Sequence, residues 1–141
     1  MKIVVSACLL GENCKYNGGN NFSPAVAEFV RGREVIPVCP ECLAGLSVPR
    51  EPIEIVHGEV RRKDGTSVDA ELRGAVQQIL DQLDGQNIEC VILKSRSPTC
   101  GVKQVYDGTF SGTLVDGMGV LAAALREKGY KVVDSEDCNC K

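Results

Sequence analysis

The sequence lacks any apolar run near the roughly 18 residues that a membrane-spanning helix needs, because charges, glycine or proline interrupt every hydrophobic stretch. No membrane span is expected. It is also short of positive charge, with a formal net charge of −3 and a pI near 5.2. No broad basic field exists to attract a phosphate backbone, so duplex nucleic acid is not an expected partner, whereas a single nucleobase is not excluded. Histidine occurs once, at His57, where it reads as a surface or packed residue rather than a ligand. No internal repeat, low-complexity tract or linker rich in Pro, Gly or Ser divides the chain, so a single domain over residues 1–141 is expected. The apolar stretch near the start, Ile3-Val4-Val5, is too short for an export signal and gives way at once to polar loop residues; a cytoplasmic location is expected.

What the sequence has in excess is cysteine, eight in 141 residues. With 43% hydrophobic and 25% charged residues, the chain has the balance of a globular protein large enough to bury a core without disulfides. In a reducing cytosol such cysteines are explained by metal or thiol chemistry better than by a disulfide framework.

Four short β-branched runs read as strands: Ile3 to Ser6, Val35 to Cys39, Cys90 to Leu93 and Lys131 to Val133. Their apolar residues are consecutive, the pattern of strands covered on both faces in a parallel sheet. Helices fit between them. Ser23-Pro24 forms a start with Pro at the first helical position, and Gly32 a stop. From Val68 to Leu83 apolar residues recur at three and four, with Thr66-x-x-Asp69 as an expected cap and Gly85 as terminator. A third helix is expected from Gly119 to Lys128. Between Glu51 and Lys63 the alternation of Ile53, Ile55 and His57 with Glu54 and Val56 predicts a small β-hairpin insertion. Together these give an α/β fold of three layers around a mostly parallel sheet in flavodoxin- or Rossmann-like order.

In that fold Cys8 lies just past the first strand, Cys39 ends the second and Cys100 follows the third. The carboxyl edge of an open parallel sheet is where ligands bind, and three cysteines distant in sequence converge there on a shared metal. Their loops are long and polar. The first runs Ser6-Ala7-Cys8-Leu9-Leu10-Gly11-Glu12-Asn13-Cys14-Lys15-Tyr16; the second contains Pro37-Val38-Cys39-Pro40-Glu41 and Gly45-Leu46-Ser47-Val48-Pro49-Arg50; the third reads Leu93-Lys94-Ser95-Arg96-Ser97-Pro98-Thr99-Cys100-Gly101. With the later Asp107-Gly108-Thr109-Phe110-Ser111-Gly112 they match the patterns SACLLGxxCxY, PVCPExxxGLxxPR, LKSRSPxCG and DGTFSGxxxxGxGxxAxxL. On these motifs, spread over residues 6 to 125, the chain resembles the domain of unknown function 523 family, whose characterised members are thiouracil desulfidases. Cys42 and Asn17 depart from the residues common at their places.

The resemblance implies a [4Fe–4S] cluster held by Cys8, Cys39 and Cys100, with one iron left without a protein thiolate. Thiolates are soft ligands suited to iron–sulfur clusters, and an open coordination position keeps a site reactive. The implied reaction is removal of sulfur from a thiolated pyrimidine such as thiouracil, or another thioamide: the substrate sulfur binds the open iron and water adds at the adjacent carbon. Glu41, two residues past Cys39, is the expected base, and Ser95 and Ser97 are expected to hold the heterocycle or the developing oxyanion. If so, the three cysteine sulfurs should sit roughly 6–7 Å apart, with Glu41 and a serine bordering the same cavity. Cys14 is expected near the cluster but not on it. Lys94 and Arg96 are expected to form surface ion pairs, with orienting an anion as their alternative, and Ser95 and Ser97 have turn-capping as theirs.

Other signals compete. Cys39-Pro40-Glu41-Cys42 is a C-x-x-C, but Gly45 and Pro49 leave little room for the helix of a redox dithiol. Joined to Cys138 and Cys140 it would make a zinc site, which leaves the loops of Cys8 and Cys100 without a task. A sulfur-carrying or zinc-binding module without turnover is the alternative function. Gly117-Met118-Gly119-x-x-Ala122 mimics a dinucleotide fingerprint but follows the wrong strand, so close helix packing explains it better. Cys90 is expected in the core.

Overall fold

The structure is a computed structural model describing residues 1–137. Cys138 and Cys140, and with them the alternative zinc site, lie outside the described residues. The elements follow in the order β1 (Lys2–Ser6), a 3₁₀ turn (Ala7–Leu10), α1 (Pro24–Val30), β2 (Glu34–Val38), α2 (Pro40–Leu43), β3 (Ile53–Val56), β4 (Glu59–Arg62), α3 (Asp69–Leu83), β5 (Ile88–Leu93), β6 (Gln104–Tyr106), β7 (Leu114–Asp116), α4 (Val120–Glu127) and β8 (Val132–Asp134).

The central sheet is wholly parallel in the order β2-β1-β5-β8, the flavodoxin-like arrangement with its switch point beside β1. Alternate residues of each strand feed opposite layers. Ile3, Val5, Cys90 and Ile92 pack on one face against Val26 and Val30 of α1 and Leu9. Val4, Val91 and Leu93 pack on the other against Leu72, Val76 and Ile79 of α3 and Leu121 and Leu125 of α4. Both faces are therefore dry, which is why the strand sequences run apolar without alternation. Cys90 is a core residue of the α1 side, as expected.

The α1 start is built as the sequence implies: Ser23 Oγ accepts from Val26 N at 3.2 Å with Pro24 in the first turn. The α3 start is not. Val68 precedes the helix without a side-chain cap, while Asp69 accepts from Val60 N at 3.0 Å and pairs with Arg73 at 2.8 Å. Its carboxylate is spent on tying the helix to β4, a tertiary contact that local capping patterns do not register. The Gly117–Gly119 segment also resolves into packing. Gly119 N donates to Gly101 O at 2.7 Å, Val120 N to Pro98 O at 3.0 Å and Leu121 N to Thr99 O at 2.7 Å. The otherwise unpaired donors at the α4 start thus bind the carbonyls of the Cys100 loop and face no ligand.

The hairpin β3–β4 is antiparallel and forms a sheet of its own. Its turn places exposed His57 at φ 51 and Gly58 at φ 79, the left-handed pair of a tight hairpin turn. A second hairpin, β6–β7, occupies a stretch whose sequence reads as loop. Three-residue strands carry too little periodicity to be seen.

A Cβ on Gly119 would sit 2.5 Å from Thr99 C and 2.7 Å from Cys100 N. Gly119→Ala is expected to destabilise the fold by about 1–3 kcal/mol, with denaturant unfolding at a lower midpoint and unchanged slope as the measurement.

Candidate metal centre at the carboxyl edge of the sheet

The loops after β1, β2 and β5 meet over the carboxyl edge around a cavity of about 520 Å³, within the roughly 300–1,000 Å³ typical of small-ligand sites. Cys8, Cys39 and Cys100 line it, as do Glu41, Ser95 and Ser97. Cys8 belongs to the 3₁₀ turn that ends β1, Cys39 immediately precedes α2, and Cys100 follows the Ser97-Pro98-Thr99 turn. Six cysteines are described, and all are free thiols.

Burial dominates the chemistry of these thiols. Cys100 is pushed up to about 12 from an ordinary value of 9.0 by desolvation, against the pull of hydrogen bonds with Ser6 and Thr99. Cys39 is pushed up to about 11, again by desolvation first. Cys8 is raised for the same reason, while Asn21 and the charge of Lys94 act in the opposite direction. Without a cation such thiols keep their protons at neutral pH; a metal supplies the positive charge that thiolates here otherwise lack. Basic side chains line the cavity too, namely Lys15, Arg50, Lys63, Lys94 and Arg96, against the carboxylates of Glu41 and Glu54.

Glu41 is held on both oxygens. Oε1 accepts from Arg50 Nε at 3.1 Å and Nη2 at 2.7 Å, and Oε2 from Thr99 Oγ1 at 3.2 Å. The ion pair is largely out of water, with 6% of the Arg50 side chain and 15% of the Glu41 side chain exposed. Arg50 Nη2 also reaches Cys14 O at 2.9 Å, and Arg50 N donates to Tyr16 O at 2.6 Å. Thr99 Oγ1 lies 2.9 Å from Ser97 Oγ and 3.7 Å from Cys100 Sγ. A continuous polar chain therefore runs Arg50–Glu41–Thr99–Ser97 along the thiol of Cys100.

Ser97 does cap its turn: its Oγ accepts from Thr99 N at 3.2 Å and Cys100 N at 3.1 Å, which leaves the hydroxyl proton to point elsewhere. Ser95 is buried, with Oγ accepting from Lys94 Nζ at 3.1 Å. Lys94 departs from the expected surface pairing. Its ammonium turns into the cavity and is held by Ser95 O and Oγ. Arg96 pairs at the surface with Glu136 at 3.5 Å, as expected, yet its backbone adopts φ 63. Phe110 is strained likewise at φ 56 and lines the cavity with Tyr106. Buried Glu54 fixes it, its Oε1 accepting from Gly108 N at 2.9 Å and Phe110 N at 3.2 Å. Strained non-glycine residues of this kind concentrate at functional sites.

Cys14 sits beside Cys39, and the sulfurs of Cys14, Cys39 and Cys42 all lie within 4.8 Å of one another. That is closer than the roughly 6–7 Å between thiolates on one cubane, so Cys14 does not fit as a further ligand beside Cys39. The Cys39–Cys42 segment does open a helix, but one of a single turn ending before Gly45 at φ 86.

The sequence model of the 2-thiouracil desulfurase family matches residues 3–137. The chain belongs to that family. An uncharacterized protein, YbbK, of Bacillus subtilis (strain 168) is 36% identical over 147 residues, covering 97% of each chain. A solved structure described as the [4Fe-4S]-dependent thiouracil desulfidase TudS superposes with a TM-score of 0.90 at 33% identity, over 96% of this chain and 91% of that one. The resemblance read from the four motifs is thereby confirmed at the level of family and fold. Among the described residues no helix is long and apolar enough to cross a membrane.

Arg50, Thr99, Ser6 and Asn21 went unassigned in the sequence. Arg50 closes the PVCPExxxGLxxPR motif, and a lone arginine ending a loop motif was the available signal; the others have none. Removing Arg50 would leave the Glu41 carboxylate poorly compensated. Arg50→Ala is expected to cost about 3–5 kcal/mol, read by denaturant unfolding, and more than Arg31→Ala, whose pair with Glu28 is exposed. In reduced, metal-free protein, alkylation of Cys39 followed by mass spectrometry should keep accelerating up to about pH 11 rather than levelling near 9.0, because burial preserves the unreactive thiol as pH rises.

Proposed function

We propose that this chain is a [4Fe–4S]-dependent desulfidase that replaces the thiocarbonyl sulfur of a thiolated pyrimidine, such as thiouracil, or a related thioamide, with oxygen from water. The observation that carries the reading is the meeting of Cys8, Cys39 and Cys100, from three separate strand ends, with Glu41 at one cavity. Cys8, Cys39 and Cys100 would hold the cluster as thiolates; the family relationship and the cluster named for the similar desulfidase support a cluster of this kind. When bound, the cluster supplies a soft Lewis acid for the substrate sulfur.

The chain's own residues do the rest. Glu41 takes a proton from the attacking water, with Arg50 and Thr99 fixing the direction of its carboxylate. The water oxygen bonds the ring carbon, the C–S bond breaks, and sulfur leaves as sulfide while the two protons of water are redistributed; no electrons are gained or lost. Ser97 and Ser95 donate to the oxygen as its charge develops. Phe110 and Tyr106 offer apolar walls for a flat heterocycle. Lys94, anchored by Ser95, keeps positive charge beside Cys8 and favours the anionic sulfur.

Anaerobic reconstitution is expected to give brown protein with about four irons per chain, the content of the cubane. Cys8→Ala, Cys39→Ala and Cys100→Ala should each remove the visible absorbance, and Cys138→Ala should not. Glu41→Gln should keep the cluster yet lose sulfide release from 2-thiouracil by about 10²-fold or more. Wild-type protein that stays colourless on reconstitution under zinc-free conditions would defeat the reading. Intact loaded protein that consumes no thioamide would make the site a sulfur carrier.

A further inference from the structure

Cys14 and Cys42 have no part in the desulfidase reading, yet they flank one of its thiols. Cys39 is the extended residue immediately before α2 and Cys42 lies in its single turn three residues on, with the two sulfurs close together. Cys14 arrives from the loop after β1. Its position is set by three backbone contacts: Cys14 N donates to Glu12 O at 2.9 Å, and Cys14 O accepts from Arg50 Nη2 at 2.9 Å and faces Cys42 Sγ at 4.0 Å. The three Sγ atoms lie within 4.8 Å of one another.

That spacing has a chemical meaning. Tetrahedral zinc thiolates, with Zn–S near 2.3 Å, place their sulfurs about 3.8 Å apart, while a cubane needs roughly 6–7 Å. The Cys14–Cys39–Cys42 set is thus close to the size of a single ion and too tight for a cluster. Cys42 is exposed, so an ion has a path from solvent.

We propose that, in the cluster-free protein, Cys14, Cys39 and Cys42 bind one thiophilic closed-shell cation, Zn²⁺ or Cu⁺, and that this ion and the cluster exclude each other because Cys39 serves both. On binding, the three S–H groups release three protons to solvent and form three metal–sulfur bonds; with Zn²⁺ a water completes the fourth position. No electron transfer is involved. The ion site stands on the sulfur geometry alone, whereas the exclusion rests on Cys39 being a cluster ligand. Cys42 falls at a variable position of the PVCPExxxGLxxPR pattern, so the device is a property of this chain rather than of the motif.

The test uses reduced, cluster-free full-length protein titrated with Zn²⁺ in competition with a chromophoric chelator, and with Cd²⁺ followed by its thiolate charge-transfer band. One equivalent should bind, and Cys42→Ala and Cys14→Ala should each weaken Zn²⁺ at least tenfold and lower the Cd²⁺ band. Cys138→Ala and Cys140→Ala should leave both readings unchanged. Circular dichroism of Cys42→Ala, an exposed substitution, should match wild type. Under zinc-free conditions Cys42→Ala should build the cluster as wild type does. Zn²⁺ added first should slow cluster assembly in wild type and not in Cys42→Ala. The site is overturned if Cys42→Ala retains full Zn²⁺ affinity, if no stoichiometric ion binds, or if Cys138→Ala or Cys140→Ala abolishes binding. Failure of wild type to build a cluster without zinc, with Zn²⁺ binding intact, would instead defeat the desulfidase reading and the exclusion while leaving the ion site standing.

Discussion

One guanidinium, largely withdrawn from water, ties the working edge of this protein together. Arg50 binds the carboxylate of Glu41 from the loop after β2, the carbonyl of Cys14 and, through its own amide, the carbonyl of Tyr16 from the loop after β1. Glu41 passes the constraint to Thr99 in the loop after β5. Three loops that share no secondary structure are thereby referenced to a single charge. A buried pair of this sort is poor evidence for net stability, since desolvation consumes much of the Coulomb gain. Its return is positional: it sets where the carboxylate points and how the cysteine-bearing loops face one another.

The layers were legible because the sheet is dry on both sides. Consecutive β-branched residues in β1, β2 and β5 signal parallel strands, and the period of α3 between Leu72 and Leu83 is unbroken. Strand order was narrowed rather than read: right-handed crossovers leave few topologies, and the flavodoxin- and Rossmann-like orders both stayed open until the sheet was seen as β2-β1-β5-β8. The hairpin β6–β7 was not legible. Its conformation depends on Glu54, a carboxylate from another hairpin that accepts from Gly108 and Phe110, and no local pattern announces a partner more than fifty residues away. The cap of α3 failed for a similar reason, because Asp69 serves β4.

At the site, the position of each cysteine just past a strand was enough to bring Cys8, Cys39 and Cys100 to one cavity, and the strand-end rule needs no side-chain detail. Lys94 was misread because surface pairing is the usual fate of lysine, while here Ser95 offers two acceptors inside. Thr99 and Ser6 lie beyond sequence reasoning: hydroxyls that hydrogen-bond a thiol look like any others until the loop is folded.

The Cys100 loop owes its shape to bonds between main chains, the carbonyls of Pro98, Thr99 and Gly101 meeting the first amides of α4. Apart from the Ser97 cap and the bare Gly119, such bonds make no demand on the side chains that line the cavity. A scaffold of that kind separates the placing of the thiol from the character of the walls around it, so that wall residues such as Tyr106 and Phe110 can change while the sulfur of Cys100 stays where it is. The fold thus carries its buried thiol and its cavity walls on independent parts, which is a condition for one framework to admit ligands of different shape.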